Sequence, residues 1–169
     1  QEIWQDYAAI ADWSINKEGA EKLLQICDPM LDASNQLFLS YQTYYRTMYL
    51  RHFPQDDVVT MITLIKNTGI QRMLTQRIML YYLAVKQDIS TNLSERKLMQ
   101  AIEQYEASLK YVTNSNMNSQ LIDEKLEAAY DHWNALSTSL IDLDADMNKV
   151  GLMIRTADAL FEIADEVAF

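Results

Sequence analysis

The chain has 169 residues, of which 49% are hydrophobic, and a formal net charge of −10 at pH 7. This length can bury one substantial core or two small ones, and the presence of only three glycines and two prolines predicts an all-α fold. The acidic balance argues against binding to nucleic acid or to anionic membrane surfaces, since both require clustered lysine and arginine.

Helical patterns already occupy the first 55 residues. The apolar spacing predicts an amphipathic helix from Glu2 to about Ser14 and a second helix that reaches Asp28-Pro29. This pair either starts a new helix, with proline in the first helical position, or kinks a longer one. The periodicity continues to about His52, and Phe53-Pro54 predicts a break. The single cysteine, Cys27, excludes an intrachain disulfide and is interpreted as a small core residue.

Tyrosines are concentrated near the end of this region. Tyr41, Tyr44, Tyr45 and Tyr49 could form an aromatic cage for a ligand, or they could be boundary residues with a buried ring and a hydrated hydroxyl. Helical spacing favours the second interpretation, which also applies to Tyr81-Tyr82.

Four longer helices, joined by short loops, are predicted after residue 55: about Asp56 to Gln87, Ser94 to Thr113, Gln120 to Leu140, and Asp144 to the end. Short loops between helices of similar length predict an up-down-up-down four-helix bundle in residues 56–169. Residues 1–55 would then form a separate helical pair. Two short matches indicate a diverged partial repeat: Ile3-Trp4-Gln5 with His132-Trp133-Asn134, and Cys27–Leu31 with Ala157–Phe161.

The first of these four helices carries a regular seam with a polar centre. At alternating spacings of four and three, its members are Val58, Ile62, Ile65, Gly69, Arg72, Gln76, Met79, Leu83 and Lys86. An arginine on a core seam costs several kcal/mol to desolvate, so Arg72 requires a partner or a route to solvent. The partner is either a carboxylate on a neighbouring helix or a small anion. In the second case Gln76 and Thr75 would supply neutral donors, and Gly69 would permit close approach of another backbone.

The centre of this helix resembles a known signature. Gly69-Ile70-Gln71-Arg72-Met73-Leu74-Thr75-Gln76-Arg77 is similar to Gly-Arg-Gln-Arg-Met-Leu-Ser-Gln-Arg of the PilJ-type domain, a periplasmic sensor module of chemoreceptors related to nitrate and nitrite sensor input domains. Thr75 replaces serine conservatively, whereas Ile70 stands where an arginine is usual. The loss of that charge is expected to alter ligand affinity or ligand choice.

This resemblance implies a four-helix bundle that is commonly a homodimer and binds a small anion such as nitrate at the subunit interface. By position, the usual ligand-binding arginine corresponds to Arg72, and the signature adds Gln71 and Arg77 to the candidate site. Arg77 lies about 140° around the helix from Arg72, so both cannot face the same intrachain site, and one of them could reach a partner subunit. The implied location is periplasmic, in a protein anchored in the inner membrane.

No hydrophobic run approaches the roughly 18 residues that span a bilayer. Because the chain starts at Gln1, it is interpreted as an excised or processed soluble piece, with any signal peptide or membrane anchors missing. Glu-x-x-His pairs, His-Glu-x-x-His, glycine-rich phosphate loops and nucleophile elbows do not occur in the sequence, so we expect no enzyme activity, metal or cofactor. The predicted function is anion sensing for chemotaxis or two-component signalling. The alternative is a helical interaction or dimerisation module in which Arg72 forms a structural ion pair.

Overall fold

The computed structural model describes residues 17–49, 55–142 and 146–168, and these residues form helices and connecting loops without strands. The helices in these ranges are α1 (Lys17–Tyr49), α2 (Gln55–Lys86), α3 (Thr91–Thr113), α4 (Gln120–Leu140) and α5 (Met147–Ala168). The predicted all-α class is therefore confirmed. The expected helix over residues 2–14 and the break at residues 53–54 lie outside the described residues.

Two compact units divide between Val59 and Thr60, inside α2. In the first unit, Pro29 lies within the continuous helix α1, so it does not start a new helix. Leu24 is buried and Cys27 is half-buried. None of the described helices is both long and apolar enough to cross a membrane.

The second unit has a core built from all of its helices. Tyr105 on α3 and Trp133 on α4 are buried with their ring centroids 4.4 Å apart. The largest fully buried side chains of this unit include Leu74, Ile78, Tyr81, Tyr82, Leu109, Leu126, Leu136 and Leu160. Aliphatic and aromatic volume of this kind supplies the main favourable term in folding.

The buried face of α2 differs from the predicted seam. Of the predicted seam, Val58, Ile62 and Met79 are buried, whereas Ile65, Gly69 and Gln76 are exposed. From Thr68 onward, the residue before each predicted position is buried. The observed stripe contains Thr68, Gln71, Thr75, Ile78, Tyr82 and Val85. Its last three members, Ile78, Tyr82 and Val85, carry more apolar volume than their predicted counterparts Met79, Leu83 and Lys86. A rigid helix that buries these three residues also turns the polar positions before them inward.

The tyrosine prediction was wrong for Tyr41 and Tyr44, but the rings of Tyr81 and Tyr82 are buried as expected. The side chains of Tyr45 and Tyr49 lie outside the described part of the chain. Tyr41 and Tyr44 on α1 have 56% and 59% of their surface exposed, so their rings are not buried within this chain. Tyr82 is fully buried, and its hydroxyl donates to the carbonyl oxygen of Asp142 over 2.7 Å. Burial, followed by the nearby Asp142 carboxylate, raises the pKa of Tyr82.

The loops have local hydrogen bonds that set where each helix begins. The backbone of Ser90 adopts a left-handed conformation, and its carbonyl accepts from the N–H groups of Leu93 and Ser94, so α3 begins at Thr91, earlier than predicted. The polar loop 114–119 and the start of α4 agree with the sequence, with the Ser119 hydroxyl oxygen accepting from the backbone N–H of Ile122. Asp146 accepts from the first N–H groups of α5, which starts at Met147 instead of residue 144.

Candidate functional site

Arg72 joins α2 to α5. Its Nη1 lies 2.7 Å from Oδ1 of Asp165, and its guanidinium carbon lies 4.7 Å from the centre of the Phe161 ring. The carboxylate and the aromatic face are both favourable partners for a guanidinium. Of the partners that the sequence left open, the structure contains the carboxylate on a neighbouring helix.

This ion pair is accessible to solvent. The side chain of Arg72 is 34% exposed and that of Asp165 is 46% exposed. Pairs with this exposure are screened by water and salt and contribute about 0–1 kcal/mol. A small solute can therefore reach the charged ends of both side chains, and the pair can open at little energetic cost.

Not every donor of Arg72 is used. The Nε atom is buried and makes no hydrogen bond among the described residues. A buried donor without an acceptor costs about 1–3 kcal/mol. The Arg72 site thus combines an exposed, paired end with a buried N–H that lacks an acceptor.

Gln71, the residue before Arg72, is buried more deeply than Arg72. Its exposed fraction is 2%, and its Nε2 atom has no hydrogen-bond partner among the described residues. The predicted seam placed Arg72 on the core face, but in the structure Gln71 occupies that face and Arg72 lies at its edge. Adjacent helical residues point about 100° apart, so these two side chains lie on different sides of α2.

The other predicted donors are not gathered around Arg72. The Thr75 hydroxyl is fully buried and donates to the carbonyl oxygens of Gln71 and Arg72, at 3.2 and 2.8 Å. Gln76 is exposed. Gly69 is exposed too. Apart from its chain neighbours and the backbone of its own helix, no described atom lies within 4 Å of the position that a Cβ would take. The expected close approach of another backbone is therefore not seen among the described residues.

Arg77 belongs to a separate arrangement on its own helix. Its Nη2 donates to the hydroxyl oxygen of Tyr81 over 3.2 Å, and its guanidinium carbon lies 5.5 Å from the centre of that ring. Arg77 is half-buried, and Tyr81 is 2% exposed. The structure therefore places Arg72 and Arg77 against different partners within this chain.

Sequence reasoning identified Arg72 but missed the side chains that meet it. Phe161 was named only in the repeat match, and Asp165 was not singled out. Their spacing of four residues puts them on one face of α5, which is the signal that could have paired them with an arginine. The described residues contain no group of three or more histidine, cysteine, aspartate or glutamate side chains arranged to hold a metal ion.

Comparisons with models of protein families, with curated proteins and with solved structures find no match for this chain.

Proposed function

We propose that the second unit is an extracytoplasmic sensor domain that binds a small anion, such as nitrate or nitrite, at Arg72. The observation that supports this most is the partly exposed guanidinium, which is held by a replaceable carboxylate and keeps a buried Nε–H without an acceptor. An oxyanion is an acceptor-only ligand that can take the place of the Asp165 carboxylate. The resemblance to the PilJ signature supports the same position for the ligand.

The helices of this unit are proposed to form an up-down-up-down four-helix bundle. Contacts that link α2 to residues before α5 and near its end support this order. On α2, Tyr82 bonds to Asp142 before α5 begins, and Arg72 bonds to Asp165 near the end of α5, as expected when α2 and α5 run in opposite directions. Additional side-chain contacts between helices pair Ser108 with the Asn67 carbonyl and Lys125 with Glu166.

Signalling would proceed by competition for the guanidinium. An anion bound at Arg72 releases Asp165, and this weakens the connection between α2 and α5. Because the pair contributes little free energy, a ligand with modest preference for the open arrangement changes the population of the two states. The shift of α5 relative to α2 is the output that a receptor could transmit.

The proposal includes the remaining features of such receptors. The domain acts as a homodimer in the periplasm, as part of a protein anchored in the inner membrane, and has no catalytic role. Residues 1–55 are proposed to derive from the end of a preceding tandem unit.

Thermal unfolding with nitrate, nitrite, sulfate and chloride at matched ionic strength tests the anion site. An anion at about 100 times its dissociation constant adds roughly 2.7 kcal/mol to stability, which raises Tm by several degrees. Asp165→Asn should strengthen the response because it removes the competing carboxylate, and Arg72→Ala should abolish it.

The matched control is Arg155→Ala, which removes an exposed arginine from α5 and should leave the anion response unchanged. Arg72→Lys keeps the charge but loses the planar donor fork, so a selective response to nitrate should fall. If no anion raises Tm selectively in wild type or in Asp165→Asn, the sensor proposal is wrong.

The second candidate function is a helical interaction module. The ion pair between Arg72 and Asp165 favours it, because the arginine already has a counterion inside the chain. In this case Arg72→Ala would lower stability equally in every salt, and Asp165→Asn would create no anion response.

A further inference from the structure

The C-terminal half of α1 carries an exposed apolar seam. Leu37, Tyr41, Tyr44 and Met48 follow one another at spacings of four, three and four residues. Their exposed fractions are 59%, 56%, 59% and 54%. We call these residues the α1 seam. Since 100° separates successive helical residues, the α1 seam occupies an arc of only about 60° on the helix.

The spacing is that of the core positions in a coiled coil. The heptad positions that flank such a core often carry charges that select a partner and an orientation. Here those positions are Phe38, Ser40, Tyr45 and Thr47, none of which is charged. A helix with this pattern presents no charged group that another helix would have to match.

The surrounding sequence is unusual for so acidic a protein. From residue 33 to residue 49 the one charged side chain is Arg46, although the chain as a whole has a net charge of −10. The acidic surfaces of two copies of this chain repel one another, whereas this segment carries no negative charge that would do so. A basic partner would be expected to meet acidic side chains, and the segment offers none.

The serine and threonine hydroxyl groups beside the seam already have acceptors in the same helix. Ser40 donates to the carbonyl oxygen of Gln36 over 3.0 Å, and Thr47 donates to that of Thr43 over 2.9 Å. A partner can therefore cover these side chains without leaving their hydrogens unsatisfied. This removes a cost that normally opposes burial of a serine- and threonine-rich surface.

We propose that the α1 seam is a homodimer interface, which binds the same seam of a second copy of this chain. Self-association fits all three observations: an apolar stripe at a self-complementary spacing, neutral flanks, and hydroxyls satisfied within the helix. A twofold dimer uses the same patch on both subunits, so one such seam is sufficient. The inference rests on the homodimer within the proposed function and does not depend on anion binding.

Sedimentation velocity of the full 169-residue chain over a wide concentration range tests this interface. The key variant is Leu37→Glu, and its matched control is Leu39→Glu, which changes another leucine, 49% exposed, about 160° around the same helix. Wild type and Leu39→Glu should form dimers. Leu37→Glu should raise the dimer dissociation constant at least about 100-fold, because each dimer loses two leucines and gains two carboxylates within the interface.

If Leu37→Glu loses helical circular dichroism, Met48→Glu tests the effect of a charge on dimerisation at a second position of the α1 seam. A wild-type chain that stays monomeric at its highest soluble concentration overturns the proposal, as does equal dimerisation of Leu37→Glu and Leu39→Glu. Measurement of Tm with nitrate on the same samples separates the two proposals. Monomeric wild type with an anion response refutes this interface and the proposed homodimer but not the anion site, and dimeric wild type without a response refutes only the anion site.

Discussion

Removing the contact between Arg72 and Asp165 in a double-mutant cycle measures how tightly α2 is held to α5. The single variants are Asp165→Asn, which keeps the shape of the side chain, and Arg72→Met, which keeps an aliphatic stem without the charge. The structure predicts a small coupling because the two side chains are 34% and 46% exposed although their charged atoms are 2.7 Å apart. Exposed pairs contribute about 0.2–1 kcal/mol, and this geometry favours the upper end of that range.

The two single variants should differ. Arg72→Met also loses the contact with the Phe161 ring at 4.7 Å, which adds about 0.5–1 kcal/mol to its cost. Asp165→Asn should therefore destabilise the chain by at most about 1 kcal/mol, and Arg72→Met by about 1.5–2 kcal/mol, the sum of both contacts.

Urea unfolding at low and high salt provides the measurement. The coupling should shrink in 1 M salt, where the screening length falls from about 10 Å at 0.1 M to about 3 Å. Arg155→Met, at an exposed position of α5, should show no coupling to Asp165. A coupling above about 2 kcal/mol that is insensitive to salt would show a desolvated structural pair and refute the reasoning behind a replaceable carboxylate.

Three further predictions concern the core of the second unit. Trp133→Ala should lower the free energy of unfolding by about 3–5 kcal/mol in urea titrations, because it empties a buried site beside Tyr105; Tyr130→Ala, at a position 54% exposed on the same helix, should cost far less. Tyr82→Phe should cost about 0.5–1.5 kcal/mol in the same assay, because it deletes a hydrogen bond of 2.7 Å to the Asp142 carbonyl, and no measurable loss would contradict that contact. Burial raises the pKa of Tyr105 far above its ordinary value of 10, so the folded state keeps this proton while the unfolded chain releases it, and stability should fall as pH rises above about 10. Tyr105→Phe should reduce that alkaline loss, as measured by urea unfolding at neutral and alkaline pH.

Much of the secondary structure follows from local sequence. The bounds of α4, residues 120–140, and the polar loop before it agree with the prediction, because a serine cap and an uninterrupted apolar period are local signals. The start of α3 was less accurate. Ser90 takes a left-handed backbone conformation that a serine rarely adopts, and its sequence context does not mark it.

The candidate site was only partly predictable. The signature directed attention to Arg72, and the cost of burying its charge correctly required a partner in the structure, Asp165. The choice between Gln71 and Arg72 as the inward residue was wrong. That choice depends on a rotation of α2 about its own axis by one residue, and both faces have polar residues at their centre with apolar residues on either side.

The sequence by itself determined that the chain is helical, where several helices end, and that Arg72 needs a polar partner, since propensity, capping and desolvation act within a few residues. Only the tertiary structure decided which face of α2 is buried and which carboxylate meets the arginine. The physical reason is that a helix turns as a rigid body, and the volumes of Ile78, Tyr82 and the side chains opposite them select its rotation. Thr68, Gln71 and Thr75, in the middle of α2, are buried because they lie on the face that this rotation turns inward.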